Sequence, residues 1–374
     1  MQSFLKITKS SIHKVFLLLT GIFLFAGGVN PTNFFYYNLL FILLSLLFLF
    51  YIKRSKPDFK LPQAITEYKV FLAVFLITFF WSKNFLVSLY FFSIFVTGGL
   101  VWLISYNFKK ELENNFLRII IFLGFIFLGL YLTGLITQRL PANSLSLFLP
   151  TTTNRSHNHL GDFWILPLLI IFQKWMVRRE SVDKKLLLVV AAGVFALFVS
   201  MSRSALVALG TGLILLIKTN SRIPRKFLMI AGLLVVAAIF IYSGLGKPIF
   251  SARPYFTQAI NSFPDNLYGV GYGNFGHISL SVKDLKDEFS SYTHNFVLEM
   301  IVGFGVYSIV FFYWLFRVLK DAFIIKNRLG IYGILFIALT VNFMFDFTYA
   351  IPTLLWIWFA LIGIIQKRAD EKVK

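Results

Sequence analysis

Thr293-His294-Asn295 stands immediately before an apolar run, Phe296 to Phe316, that is long enough to cross a bilayer. Histidine titrates near neutrality and can take or give a proton in a transition state. His294 at the lip of such a run is therefore the first candidate for acid–base chemistry; the plainer alternative is a histidine capping a helix at headgroup level. Asn295 beside it can cap the helix or orient a substrate hydroxyl. Glu299 follows one helical turn in, about 7 Å deeper than His294 by helical rise. A carboxylate at that depth needs a partner or a proton, and the same demand applies to Asp162 and Asp346 near the ends of their own apolar runs.

Three arginines could supply charge to that chemistry. Arg203 lies in Ser202-Arg203-Ser204, a tight turn between two apolar runs, where an arginine faces a cavity, a partner or a ligand, or snorkels to lipid phosphates. Arg253 precedes Pro254, the expected first residue of a short helix. Free N–H groups at a helix start together with a guanidinium fork suit an anion such as phosphate. Arg155 stands just before His157-Asn158-His159, where another apolar run begins.

Other patterns lead to less. Gly269-Val270-Gly271-Tyr272-Gly273-Asn274-Phe275-Gly276 resembles a dinucleotide loop only superficially, because no strand–turn–helix context surrounds it. Its glycines fit positive-φ turns that bring the backbone close to a substrate or to the membrane plane, with Tyr272 placed to touch substrate. No metal set is expected: His157 and His159 are two apart, off one helical face, and Asp284, Asp287 and Glu288 read as a solvated helix face. No cofactor is expected either, and arginine must then supply any counter-charge to phosphate. The absence of cysteine removes disulfides, thiolate sites and cysteine nucleophiles.

The elements that must position these residues are membrane helices. The chain is 58% hydrophobic and only 14% charged, against about 25% charged residues in soluble domains. Spans need about 20 apolar residues. Twelve are expected, at 14–30, 34–52, 64–81, 85–105, 116–137, 159–176, 185–201, 203–218, 226–243, 294–316, 330–346 and 350–366. The first reads as a retained signal-anchor, because the second follows so closely. The fold class is thus an all-α integral membrane protein, a single polytopic domain over residues 1–374. All but eight of the 36 lysines and arginines fall on one side when both termini are placed in the cytoplasm, so the net charge of +20 is an orientation signal rather than a nucleic-acid footprint. The eight outer ones include Arg155, Arg203 and Arg253. The same count puts loop 138–158 and the large loop 244–293 outside, the latter with short helices after Pro254 and over Ser279–Phe289.

In this order and on this one side, the motifs resemble the O-antigen ligase and O-antigen polymerase superfamily of polytopic membrane glycosyltransferases. The resemblance rests on Arg155 to Leu160; Ser202-Arg203-Ser204; Arg253 with Pro264 and Gly269 to Phe275; and Thr293 to Glu299 with Gly303 and Gly305. It covers roughly residues 150–310, with His157 a departure from the expected pattern. It implies a glycan donor carried on undecaprenyl pyrophosphate, and transfer to a hydroxyl of a glycolipid, glycan or protein acceptor outside the plasma membrane, without metal. His294, Arg203 and Arg253 would be catalytic; Arg155, Asn158, Asn295, Glu299 and Tyr272 would bind substrate. A polymerase of lipid-linked repeat units is the alternative within the superfamily. A transporter of anions or lipid-linked sugars is the alternative outside it, though broken helices at the midplane mark such proteins and the polar candidates here gather at one lip.

Overall fold

A chain this apolar must satisfy its backbone groups internally, and helices do so within one segment. The computed structural model describes residues 16, 19–25, 35–55, 59–137, 159–178, 184–200, 202–219, 254–282, 289–324 and 330–372, and among these every regular element is helical. The helices are α1 (Phe35–Ser55), α2 (Ile65–Ile77), α3 (Phe85–Asn107), α4 (Lys109–Thr137), α5 (Leu160–Arg178), α6 (Lys184–Ser200) and α7 (Arg203–Lys218). They continue with α8 (Pro254–Ser262), α9 (Phe275–Val282), α10 (Phe296–Phe304), α11 (Ser308–Ile324), α12 (Gly330–Phe345) and α13 (Pro352–Lys372).

Phe35–Arg54, Phe85–Asn107 and the continuous run Phe296–Lys320 are each long and apolar enough to cross a membrane. Arg118–Thr133, Leu187–Ser200 and Gly330–Phe345 are shorter apolar helices. On α1, Leu40, Leu43, Leu47 and Phe50 are all more than half exposed. Such a face would aggregate in water and suits lipid.

Helix ends follow the apolar runs closely. The span expected at 34–52 is α1, that at 85–105 is α3, and that at 203–218 is α7. The span at 14–30 is described in part, as helix over 19–25, whereas 226–243 and loop 138–158 lie outside the described residues. The short helix after Pro254 is α8. The one expected over Ser279–Phe289 starts earlier, as α9 at Phe275, and is described to Val282; Asp284, Asp287 and Glu288 lie outside the described residues.

The core is built on α13, which is buried on every side: Leu355, Trp356, Trp358, Phe359 and Leu361 have no exposed surface. A helix apolar all round belongs in such a place. It packs closely on α3 because small residues sit at the contact. A Cβ on Gly98 would lie 2.5 Å from the Phe359 ring, and one on Gly363 would lie 2.6 Å from the Trp102 carbonyl oxygen. The indole nitrogens are satisfied across the same contact, Trp356 Nε1 donating to the Ile94 carbonyl at 3.1 Å and Trp102 Nε1 to Gln366 Oε1 at 3.0 Å.

The two ends of this bundle differ in chemistry. Where α13 ends, Arg368 pairs with Glu113 at 2.6 Å and Arg317 with Glu67 at 3.3 Å, beside the Lys109–Glu371 pair. Where α13 begins, the starts of α5, α7 and α10 meet the end of α12, and their polar residues are turned inward.

Candidate functional site

The run expected as one span over 294–316 returns within the membrane-length helix Phe296–Lys320, with a turn inside it. Gly305 ends α10 at φ 58°, a single 3₁₀ turn (Gly305–Tyr307) follows, and α11 continues from Ser308. The break leaves carbonyls at the end of α10 without helical partners, and the glycine segment fills them. Val270 N–H donates to Val302 O and Gly271 N–H to Gly303 O, both at 3.0 Å, while Val306 N–H donates to Leu267 O at 2.8 Å. Gly269, Gly271 and Gly273 have φ near +80°, which admits glycine at little cost. A Cβ on Gly269 would lie 2.4 Å from Gly303 O. The expected close approach of this backbone is therefore made to a broken helix. Tyr272 is driven into the bundle, fully buried among Phe75, Phe91, Phe95 and Phe304. Expected to touch substrate, it lies in the interior with its hydroxyl unpartnered among the described residues.

At its other end α10 is capped by Asn295, whose Oδ1 accepts from Leu298 N–H at 3.0 Å and whose Nδ2 donates to Met344 O at 3.0 Å. Both ends of that amide are thus occupied by backbone, a structural task in place of the expected contact with a substrate hydroxyl. His294, just outside the cap, has φ 55°; with Ala64 it is one of two non-glycine residues at positive φ among those described. A left-handed histidine stores strain of about 1–3 kcal/mol, and such strain gathers at functional sites. The Thr293 side chain closes the turn around it, donating to Asn295 O at 2.8 Å and accepting from Asn295 N–H at 3.3 Å.

The turn delivers the His294 ring to Asp346, with Nδ1 3.2 Å from Oδ1. Asp346 caps the 3₁₀ turn Phe347–Ala350 and accepts Phe347 N–H at 2.8 Å on the same oxygen. The carboxylate is 2% exposed and the imidazole 17%, so one edge of the ring reaches the surface. Tyr255 of α8 stacks on the imidazole at 4.9 Å, and Phe347 meets it edge-on at 4.7 Å.

A second histidine–aspartate pair lies behind the first. His159 Nδ1 is 3.1 Å from Asp162 Oδ2, both residues are buried, and the far side of the Phe347 region touches His159 at 4.8 Å. Asp162 Oδ1 accepts from Asn342 Nδ2 at 2.6 Å, Ser202 Oγ at 2.7 Å and Ser204 Oγ at 3.2 Å. Ser204 Oγ is also 3.2 Å from Asp346 Oδ2, which joins the two pairs. Ser202 additionally caps α7, accepting from Ala205 N–H at 3.1 Å.

Arg203, the first residue of α7, is half-buried between these serines. Ser204 and His294 bind opposite oxygens of the Asp346 carboxylate, which links the turn before α7 to the His294 turn through side chains. Arg253, Arg155 and Asn158 lie outside the described residues. Their chain neighbours are in the site, since Pro254-Tyr255 packs on His294 and His159 binds Asp162. Glu299, expected to bind substrate, is 1% exposed, and its Oε2 accepts Thr293 N–H and the Tyr349 hydroxyl, each at 2.9 Å.

Sequence reasoning noted that Asp162 and Asp346 needed partners but did not join them to the site, and it gave no part to Tyr255, Ser202, Ser204 or Asn342. The available signal was positional: apart from Tyr255, which lies in the loop 244–293, each lies near the end of an apolar run on the same expected side as His294.

His159, Asp162 and Asp346 also bring three ligand-type atoms within 4.8 Å of one another, a grouping that sequence spacing did not foretell. The donors around them fit a hydrogen-bonded network better than an ion. Asp162 Oδ1 already takes three N–H or O–H groups and Oδ2 faces His159, and a cation would have to displace these partners. No known protein family matches this chain, and no curated protein is similar to it in sequence.

Proposed function

We propose that this protein is a polytopic membrane glycosyltransferase of the O-antigen ligase kind. In this reading it moves a glycan from undecaprenyl pyrophosphate to an acceptor hydroxyl at the outer face of the plasma membrane. The observation that carries the reading is the His294–Asp346 pair, held in a strained turn next to the Arg203 turn. With Nδ1 against Asp346, proton exchange with substrate runs through Nε2, and the carboxylate stabilises the imidazolium that forms. The acceptor oxygen attacks the anomeric carbon as His294 takes its proton. The bond from that carbon to the pyrophosphate oxygen breaks, and the leaving group departs with its electron pair. Attack opposite the leaving group inverts the anomeric centre. Arg203 and Arg253 meet the charge on the departing pyrophosphate, with Arg155 and Asn158 on the same side. The aromatic faces of Tyr255 and Phe347 around His294 suit the apolar face of a sugar ring.

The proposed topology has twelve spans, both termini in the cytoplasm, and loops 138–158 and 244–293 outside. It is supported by the division of the bundle, in which His294, Arg203 and Asp346 gather at one end and pairs containing Arg317, Arg368 and Lys109 at the other. The acceptor class, whether lipid, protein or a second lipid-linked glycan as in a polymerase, follows from the product.

The test is transfer in proteoliposomes supplied with undecaprenyl-pyrophosphate-linked glycan and a hydroxyl acceptor, with chelator present. The wild-type chain is expected to transfer and to lengthen no repeat chain. His294→Ala and Arg203→Ala, shown to insert and fold, are expected to lose transfer by about 100-fold or more. Near-normal transfer by either variant sinks the mechanism. Activity that returns only with added Mn²⁺ or Mg²⁺ moves the chemistry to a metal at His159, Asp162 and Asp346.

A further inference from the structure

Glu299 is a buried titratable group that the proposed chemistry does not use. It sits one turn into α10 with 1% of its surface exposed, so no substrate reaches it. Its two oxygens are treated very differently. Oε2 accepts two hydrogen bonds, from Thr293 N–H and from the Tyr349 hydroxyl, each at 2.9 Å. Oε1 has no partner among the described residues.

The two donors belong to the two chain segments that carry the histidine–aspartate pair. Thr293 is the residue before His294. Tyr349 lies in the 3₁₀ turn Phe347–Ala350 that Asp346 caps. Thr293 Oγ1 and the Tyr349 hydroxyl also approach each other at 3.3 Å, closing a ring of three side chains beneath the pair. The Thr293 hydroxyl closes the turn that holds His294 at φ 55°, but a non-glycine residue stays in the left-handed region only while surrounding contacts hold it there. The bond to Thr293 N–H fixes the peptide unit that enters Thr293, one residue before His294, and the bond from Tyr349 fixes where the Asp346 turn lies relative to it.

We propose that Glu299 is a positioning residue, a single oxygen that staples the His294 turn to the Asp346 turn and thereby sets the imidazole–carboxylate distance. The staple depends on one acceptor atom and not on charge. A glutamine can place its carbonyl oxygen at the Oε2 position and keep both of these bonds. The assignment of His294 as a base rests on the function proposed above, but the staple itself is read from His294 whether or not the protein transfers sugar.

The experiment compares Glu299→Gln, Glu299→Leu and Tyr349→Phe in the full chain in nanodiscs. The ring ¹⁵N signals of His294 are recorded by NMR, with transfer kinetics in parallel. Glu299→Gln is expected to keep the Nδ1–H tautomer signals of His294. Glu299→Leu is expected to move those signals toward a solvent-exposed histidine and to lower kcat by about 100-fold with little change in KM, the scale of a misplacement near 1 Å. Tyr349→Phe removes one arm and is expected to shift the same signals less, which keeps the test decisive where the leucine variant does not fold. Unmoved His294 signals in Tyr349→Phe and in a folded Glu299→Leu overturn the staple. So does Glu299→Gln failing as badly as leucine, because charge would then be the property that matters. Shifted signals with transfer absent in the wild-type chain would retain the staple and remove the transferase reading.

Discussion

Asp162 offers the sharpest test of the polar network, because the cost of removing it can be counted bond by bond. It is fully buried and accepts from four groups: Asn342 Nδ2 at 2.6 Å, Ser202 Oγ at 2.7 Å, His159 Nδ1 at 3.1 Å and Ser204 Oγ at 3.2 Å. In Asp162→Ala the two serine hydroxyls, 2.9 Å apart, can turn to each other, and Ser204 still has Asp346. Asn342 Nδ2 loses its acceptor outright, and the His159 ring loses the bond that sets its tautomer. Two buried donors stranded at about 1–3 kcal/mol each give a loss of about 4 kcal/mol, within the range for breaking a buried charged pair. Asp162→Asn keeps one oxygen for Ser202 and Asn342 and turns its amide toward His159, so its cost is about 1 kcal/mol. Reversible unfolding in mild denaturing detergent, followed by tryptophan fluorescence, measures both. An alanine variant within about 1 kcal/mol of wild type, or an asparagine variant as damaged as alanine, would show that these bonds do not form as the geometry states.

Asp346→Asn is expected to keep the fold, since the asparagine oxygen still accepts from Phe347 N–H and His294, while kcat for transfer falls by about 100-fold with the loss of the charge that stabilises the imidazolium; an unchanged kcat refutes that role. Tyr272→Phe removes a buried hydroxyl that has no partner, so unfolding should show stability unchanged or raised by up to about 1 kcal/mol. Loss of transfer in that variant would restore Tyr272 as a substrate contact. Gly305→Ala must hold φ 58° and bring a Cβ within 2.0 Å of Leu267 O, so a loss of more than about 3 kcal/mol is expected in the same unfolding assay, and a neutral result would mean that α10 and α11 are continuous.

Much of the scaffold was legible because apolar length alone marks a membrane-scale helix. The runs read at 34–52 and 85–105 need no knowledge of their neighbours, and they return as α1 and α3, whereas 330–346 returns as the shorter apolar helix α12. The break after Phe304 was not legible. Gly303 and Gly305 lie inside a run that hydropathy reads straight through, and what ends the helix is the backbone of Leu267, Val270 and Gly271, some 35 residues earlier. The site divides in the same way. His294 and Arg203 stood out by type, being costly residues at the margin of apolar runs. The partner of His294 did not, because the bond to Asp346 spans 52 positions and no local period encodes it. Tyr272 misled the reading since a tyrosine among glycines looks like an exposed contact, whereas the positive-φ turns here point it inward.

The break and the strained histidine belong to one construction. Helix α10 has nine residues, about 13 Å of helical rise, and reaches membrane length only together with α11. It is held at both ends by residues outside itself. The glycine segment binds its last carbonyls, and the Asn295 cap and Glu299 bind the chain at its start to α12 and the following turn. A continuous span could slide or rotate along its axis with its lipid contacts nearly unchanged. A short helix pinned at two ends cannot, and the imidazole just beyond its first turn inherits that fixity. Fixed placement is what a proton-transfer residue needs, because an error of about 1 Å costs about 100-fold in rate. In the proposed chemistry the turn between Phe304 and Ser308 would serve the placement of His294, at the expense of an uninterrupted ladder of helical hydrogen bonds.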